Sequence, residues 1–160
     1  MRILEGVESC RDESTGLYNR TGFAEIAEME FDRALQKHNP FTLVYMNLEN
    51  LESIPYESRD MLLLAVVADL FDHVRKSDVL ARLDENEFVI LMPDVGPDSA
   101  STILPNLRKS LSAELHNYDW DVTASLGAIT YLTPPFDVDS MIRTVEGLLK
   151  SSNKELRVIL

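Results

Sequence analysis

The chain has 160 residues, and its hydrophobic content of 45% is enough for one well-buried domain. A formal net charge of −12 repels nucleic-acid backbones and anionic membranes, so we expect neither as a partner. The lone cysteine, Cys10, excludes a disulfide framework and a thiolate metal cluster, and it favours a cytoplasmic location. The longest apolar run, residues 61–68, is too short to span a bilayer, so no membrane segment is expected.

The N-terminal part of the chain predicts a linker followed by a helix. Residues 1–18 are polar and lack sustained periodicity, so we expect a linker segment there and one folded domain over residues 19–160. Apolar side chains then recur every fourth residue, which is typical of one face of a helix. We expect this helix to begin near Thr21, which can cap it, and to end before Asn39 and Pro40.

Three apolar segments predict strands. Residues 41–48 predict the first strand, with Asn47 and Glu49 on one face at its carboxyl end because strand side chains alternate. Residues 79–83 and 88–92 predict a hairpin joined by a tight turn. The second strand of the hairpin is apolar throughout, which is typical of a strand buried on both faces.

The whole pattern predicts a single α/β (α+β) domain with a central mixed β-sheet flanked by helices. The hairpin supplies antiparallel pairing, and the helices must cover the sheet. The remaining elements are predicted as helices at 58–74, 98–114 and 138–151, with Pro105 as a kink or break, and as strands at 122–131 and 156–160.

The hairpin turn is unusually acidic. Asp84, Glu85, Asn86 and Glu87 join its two strands, and three of these four residues are acids. Acids raised to the end of a central sheet are typical of a metal or nucleotide site. A solvated turn explains the same residues equally well, because Asp and Asn favour turn conformations.

Three ordered motifs give the chain a family resemblance. Residues 12–20, with the pattern D-x-x-T-G-L-x-N-R, resemble the N-terminal motif of GGDEF domains, the diguanylate cyclases. Residues 81–88 look like the signature hairpin of that family, with DENEF where the family writes GGDEF, and residues 122–128 are similar to a later strand. The resemblance implies a fold related to nucleotidyl-cyclase and polymerase palms. It also implies condensation of two GTP molecules to cyclic di-GMP across a homodimer.

The metal ligands that the resemblance implies have changed. Family members hold divalent ions with a carboxylate on the first strand, the next carbonyl and an acid at the third signature position. These positions match Asn47, Leu48 and Asn86, so both charged ligands are amides. Mg²⁺ relies on anionic oxygens, and we therefore expect no metal and no cofactor.

The phosphate-binding positions have changed as well. The family's first two signature residues are glycines that leave room for phosphate, and here they are Asp84 and Glu85. A Lys and an Arg near the family's carboxyl end hold the phosphates, and they align with Ser152 and Leu156. A triphosphate would therefore meet added bulk and like charge.

The nucleobase pocket is only partly retained. The family's guanine-reading Asn falls near Pro55, whereas Asp60 matches an Asp that also reads guanine or caps the second helix. Glu87 matches the fourth signature position, or is an exposed turn acid. We expect a catalytically inactive domain; the less favoured alternative is an active cyclase whose metal site is displaced onto Glu49, Asp84 or Glu87.

A second site has retained its motif. Arg75 and Asp78 form an R-x-x-D pattern before the signature turn, and this resembles the inhibitory site at which the family binds cyclic di-GMP. Arg offers a planar donor fork and Asp two acceptor oxygens. Arg108 is the candidate for a second arginine. Alternatively, Arg75 only complements a helix dipole and Asp78 only bonds backbone in the following turn.

Two kinds of function remain open. In the first, the domain is a cyclic di-GMP receptor whose ligand changes dimerisation or the output of an attached domain. In the second, it is a ligand-free interaction module that forms a homodimer or regulates a neighbour, such as an EAL phosphodiesterase domain or a sensor domain, in the same or another chain.

Overall fold

The computed structural model describes residues 10–119 and 121–150, and the backbone of residues 156–159. Its helices and strands follow the predicted order. They are α1 (Arg20–Lys37), β1 (Phe41–Glu49), α2 (Tyr56–Phe71), β2 (Val79–Asp84), β3 (Glu87–Pro93), α3 (Pro97–Leu115), β4 (Thr123–Tyr131), α4 (Val138–Leu149) and β5 (Leu156–Ile159).

The five described strands form one sheet in the order β2-β3-β1-β4-β5. Antiparallel pairing joins β2, β3, β1 and β4, and β5 lies parallel to β4. The predicted mixed sheet is therefore confirmed. Its parallel pair lies at the β4–β5 edge, whereas the hairpin adds to the antiparallel part.

Helices cover both faces of the sheet and bury two hydrophobic cores. The core under α2 and α3 includes Phe88 and Ile90, and the core under α1 and α4 includes Val89 and Leu91. Alternate residues of β3 therefore enter opposite cores, which explains why this strand is apolar throughout. Each pair of helices fixes one side of the hairpin.

A close contact between neighbouring strands explains one glycine. Gly127 of β4 lies beside Tyr45 of β1, and a Cβ atom built at Gly127 would lie 2.4 Å from the Tyr45 ring. The ring therefore occupies the space that a larger residue on β4 would need.

Three local predictions need correction. Asn19 caps α1, with its Oδ1 accepting from the Gly22 amide at 3.0 Å, so Thr21 lies inside the helix. Helix α2 ends at Phe71 because the chain turns there towards β2. Helix α3 runs without a break through Pro105.

Residues 10–18 contact the sheet. Tyr18 forms a β-bridge with Ala81, and the Arg82 amide donates to the Tyr18 carbonyl at 2.8 Å. Leu17 is buried between these elements and the first core. The division between a linker and a domain at residue 18 stays a prediction.

Candidate functional site

The signature turn, residues 84–87, is held closed by its own polar groups. Strand β2 ends at Asp84 and β3 begins at Glu87, so Glu85 and Asn86 make the turn. Asp84 Oδ1 accepts from the Glu85 amide at 2.8 Å, and Arg82 Nε donates to the Glu85 carbonyl at 3.0 Å. The acidic side chains therefore project from a fixed backbone.

Asn86 turns a donor group towards the end of β1. Its Nδ2 donates to the Leu48 carbonyl at 3.3 Å, and the Leu48 amide donates to the Asn86 carbonyl at 2.9 Å. A carbonyl only accepts, so the side chain must present its NH₂ group there. The resemblance assigns both positions to divalent ions, which require oxygen ligands. The arrangement at Asn86 and Leu48 therefore does not fit a Mg²⁺ ion.

Asn47 and Glu49, at this end of β1, lie beside polar residues of the neighbouring strands. Asn47 lies opposite Glu87 on β3 and Ser125 on β4. The Glu49 carboxylate accepts from the Ser125 hydroxyl and, at 3.5 Å, from the Thr123 hydroxyl. Among the residues that the structure describes, no three His, Cys, Asp or Glu side chains are grouped to hold a metal ion.

Negative charge dominates the space beside Glu87. Burial raises the pKa of Glu87, and the nearby Asp84 and Glu146 carboxylates raise it further, against the opposing effects of Arg20 and Lys150. Arg20 is already paired with Glu146, its Nη1 lying 3.2 Å from Oε1. A polyphosphate entering here would meet acids, and the neighbouring arginine already neutralises one of them.

An open cleft of about 350 Å³ lies between the signature turn and the start of α2. We call it the turn cleft; Asp60, Arg59, Asp84 and Glu85 line it. Pro55 precedes α2 and Asp60 lies within the helix, so Asp60 is not a helix cap. Arg59 donates to the Ile54 carbonyl at 3.1 Å, which fixes the short connection before α2.

A partly buried ion pair connects the signature turn to the N-terminal motif. Arg82 Nη1 lies 3.1 Å from Asp12 Oδ2, which also accepts from the Thr15 hydroxyl at 2.6 Å and from the Thr15 amide at 3.0 Å. Burial by itself raises the pKa of Asp12, but these hydrogen bonds and the Arg82 charge outweigh it and hold the pKa below its ordinary value. The turn of residues 12–15 is therefore fixed to the hairpin.

The R-x-x-D motif lines a second cleft, of about 400 Å³, beyond the end of α2. We call it the helix-end cleft. Arg75 Nη2 lies 2.8 Å from Asp78 Oδ1 and donates to the Pro93 carbonyl at 2.7 Å. Asp78 Oδ2 accepts from the Arg75 amide at 2.7 Å. The Asp78 side chain is 2% exposed and that of Arg75 is 51% exposed, so Asp78 orients Arg75 at the cleft wall.

The remaining predicted positions lie elsewhere. Arg108 on α3 donates from Nη2 to the Leu126 carbonyl at 2.8 Å, and it is not among the described residues that line the helix-end cleft. Ser152 lies outside the described residues. Leu156 begins β5, for which only the backbone is described.

Two residues of the helix-end cleft were not predicted from the sequence. The Arg11 guanidinium lies over the Tyr18 ring, 3.9 Å from its centroid, and both residues line the cleft beside Arg75. The sequence offered one indication of their role, namely that Arg11 precedes the N-terminal motif of residues 12–20 and Tyr18 lies within it. Their approach to Arg75 depends on the bridge between Tyr18 and Ala81, which joins distant parts of the chain.

Comparison with known proteins agrees with the fold and the motifs. The sequence profile described as "Diguanylate cyclase, GGDEF domain" matches residues 9–157. "Uncharacterized protein YhcK" of Bacillus subtilis is 32% identical over 126 residues, covering 73% of this chain and 35% of that protein. "Bifunctional diguanylate cyclase/cyclic di-GMP phosphodiesterase MucR" of Pseudomonas aeruginosa is 27% identical, covering 75% of this chain and 18% of that protein.

A solved structure shares the fold over most of the chain. The GGDEF domain of DgcB from Caulobacter crescentus, in complex with c-di-GMP, superposes with a TM-score of 0.77 at 16% identity, covering 94% of this chain and 95% of that one. At this identity the likeness shows the fold alone. The chain spans about a third or less of the lengths of YhcK and MucR.

Proposed function

Because the chain belongs to the GGDEF family of diguanylate cyclase domains, we propose that it is a catalytically inactive regulatory domain in cyclic di-GMP signalling. In this proposal the domain acts in the cytoplasm and binds cyclic di-GMP at the R-x-x-D site of Arg75 and Asp78. Its output is a change in homodimerisation or in an EAL or sensor domain. The combination of both activities in the name of MucR supports a phosphodiesterase as the regulated neighbour.

The contact between Asn86 and Leu48 is the observation that most directly supports the proposed catalytic inactivity. An amide NH₂ group bonds the carbonyl that would have to face a cation, and the neighbouring Asn47 supplies no charge. Asp84 and Glu85 add two further acids where phosphate would approach. These changes affect separate requirements of the reaction, so each lowers the rate independently.

Product analysis tests the inactivity. Purified protein incubated with GTP and either Mg²⁺ or Mn²⁺ is expected to form no cyclic di-GMP above a blank without protein. An active GGDEF domain in parallel confirms the assay conditions. Product above the blank would favour the active-cyclase alternative, with a metal site displaced onto other acids.

The charge of the helix-end cleft supports messenger binding. Arg75 and Lys76 line it, and its acid, Asp78, is already bonded to Arg75. The bond between Asp78 and Arg75 raises the pKa of the Arg75 guanidinium, which therefore stays cationic. A half-exposed, oriented guanidinium is a suitable donor to a guanine edge or a phosphodiester.

Calorimetric titration of cyclic di-GMP into the wild type and into Arg75→Ala tests this site. We expect binding in the micromolar range or tighter that the substitution abolishes. Arg143→Ala is the matched control, because Arg143 is an exposed arginine on α4 that bonds Ser140. Absence of binding to the wild type, or equal loss in both variants, would contradict the receptor proposal.

The ligand-free interaction module is the second candidate, favoured by the outer face of α2. Met61, Leu64 and Phe71 lie on this helix and are 56%, 54% and 55% exposed. Exposed apolar side chains grouped on one helix are typical of contact surfaces. Sedimentation of the wild type against Leu64→Ser tests whether this face forms a homodimer, which the substitution should weaken.

A further inference from the structure

The helix-end cleft concentrates positive charge in a strongly acidic protein. Its described lining residues include three cations, Arg11, Arg75 and Lys76, and one acid, Asp78. The chain as a whole carries a formal charge of −12. Asp78 is almost fully buried and bonded to Arg75, so the cleft presents a net positive surface to an anionic ligand.

Arg11 is already ordered for such a ligand. Its Nη1 donates to the Gly16 carbonyl at 3.2 Å, and its guanidinium stacks on the Tyr18 ring. These contacts fix a long, exposed side chain, so less rotamer freedom is lost when a ligand binds. Tyr18 covers one face of the guanidinium, and the other face can stack on a planar base.

Arg108 does not provide the second arginine in this structure. Its guanidinium donates to the Leu126 carbonyl on β4, whereas Arg11 lines the same cleft as Arg75. The two arginines come from different segments that the bridge between Tyr18 and Ala81 brings together. The cleft therefore has a cation on the N-terminal turn and a cation in the segment that follows α2.

We propose that Arg11 is the second arginine of the cyclic di-GMP site, where it stacks on a guanine base and pairs with a phosphodiester. This inference rests on the proposed receptor function and extends it to a residue of the N-terminal motif. Arg75 then binds from the segment after α2, and Arg11 binds from the N-terminal turn. The ligand joins the N-terminal turn to α2.

Calorimetry with cyclic di-GMP tests the role of Arg11. We expect Arg11→Ala to weaken binding by about tenfold or more, since it removes a charge-assisted contact and a stacking surface. Arg11→Lys keeps the charge and loses the planar stack, so its affinity should lie between those of the wild type and Arg11→Ala. Arg143→Ala should bind like the wild type.

Salt dependence separates ligand contact from a structural role. If Arg11 pairs with a phosphodiester, the affinity of the wild type falls more steeply with added NaCl than that of Arg11→Ala. A weaker variant with an unchanged salt slope would mean that Arg11 only supports the fold of the turn, and would overturn the inference.

The remaining outcomes distinguish failure of the proposed role of Arg11 from failure of the proposed receptor function. If the wild type binds, Arg75→Ala does not and Arg11→Ala is unaffected, the role of Arg11 is refuted while the receptor function stands. Loss of affinity in Arg108→Ala with full affinity in Arg11→Ala would likewise refute it. If the wild type does not bind cyclic di-GMP, the receptor function fails and the role of Arg11 with it.

Discussion

Replacing Asn47 and Asn86 with aspartate tests whether these two amides prevent cation binding at this end of β1. At position 86 the change removes the hydrogen bond to the Leu48 carbonyl, and a carboxylate then faces that oxygen. A neutral hydrogen bond of this kind contributes about 0.5–1.5 kcal/mol, and the new charges lie beside Asp84 and Glu87. In metal-free buffer we expect the unfolding free energy to fall by about 1–3 kcal/mol.

Divalent cations should restore the stability that the Asn47→Asp/Asn86→Asp variant loses in metal-free buffer. Two carboxylates flanking the Leu48 carbonyl provide the anionic oxygens that Mg²⁺ and Mn²⁺ prefer. A ligand at about one hundred times its Kd stabilises the native state by about 2.7 kcal/mol. For a domain of this size we expect the Tm to rise by about 5–10 °C with cation. The wild type should show no comparable rise.

Thermal unfolding followed by circular dichroism, with EDTA, Mg²⁺ or Mn²⁺, measures these shifts. The control variant Asn106→Asp/Asn117→Asp adds the same two charges at exposed positions on α3 and just after it. An equal cation-dependent rise in the Tm of the wild type would refute the reasoning. So would the absence of any rise in the Tm of the Asn47→Asp/Asn86→Asp variant.

The same variant should still not make cyclic di-GMP. By the family resemblance, Ser152 and Leu156 occupy the positions that hold phosphate, and the variant keeps Asp84 and Glu85 as two acids where phosphate would approach. Restored cation binding without turnover is therefore the expected outcome with GTP. Measurable product would show that the amides alone cause the inactivity.

Packing and charge elsewhere in the domain can be tested in the same way. Gly127→Ala places a Cβ atom 2.4 Å from a ring and should cost about 1–3 kcal/mol in urea unfolding. Gly147→Ala, in an open helical position, should stabilise by about 0.5–1 kcal/mol, and equal effects would contradict this reasoning. Asp84→Asn should lower the pKa of Glu87, measured by carboxyl NMR, and an unchanged pKa would contradict the assigned repulsion. Because the pKa of Asp12 is lowered by folding, its contribution is complete above the ordinary value of 3.8 and is lost as the pH falls through the native pKa. The stability gap between the wild type and Asp12→Asn should therefore narrow below about pH 4, and a constant gap would argue against the depressed pKa.

The periodicity of the apolar residues was sufficient to predict the strands of the sheet and the apolar faces of the helices that cover it. The apolar run of β3 indicated burial on both faces, and Phe88 and Val89 do enter opposite cores. Helix ends were less predictable. Helix α2 ends at Phe71, and Asp78 then bonds the Arg75 amide while Arg75 bonds the Pro93 carbonyl. The Pro93 contact joins residues that are distant in sequence, so local patterns do not report it.

Contacts within one contiguous motif are the part of the candidate site that is easiest to relate to the sequence. Arg75 and Asp78 are three residues apart in the R-x-x-D motif, and the structure brings them into contact. The NH₂ group of Asn86 on the Leu48 carbonyl depends on strand register. Arg11 reaches the helix-end cleft only because the N-terminal turn is bridged to β2. Residue identity alone therefore predicted lost charge, but not where the remaining polar groups point.

The most direct test of the central claim is amide NMR of the labelled wild-type domain during titration with cyclic di-GMP. The claim is that the signature turn no longer binds nucleotide while the helix-end cleft does. It predicts shifts at Gly16 and Asp78, and an unshifted Leu48 amide, which donates to the Asn86 carbonyl. Shifts centred on Leu48 with Gly16 and Asp78 unmoved, or no shifts at all, would contradict it.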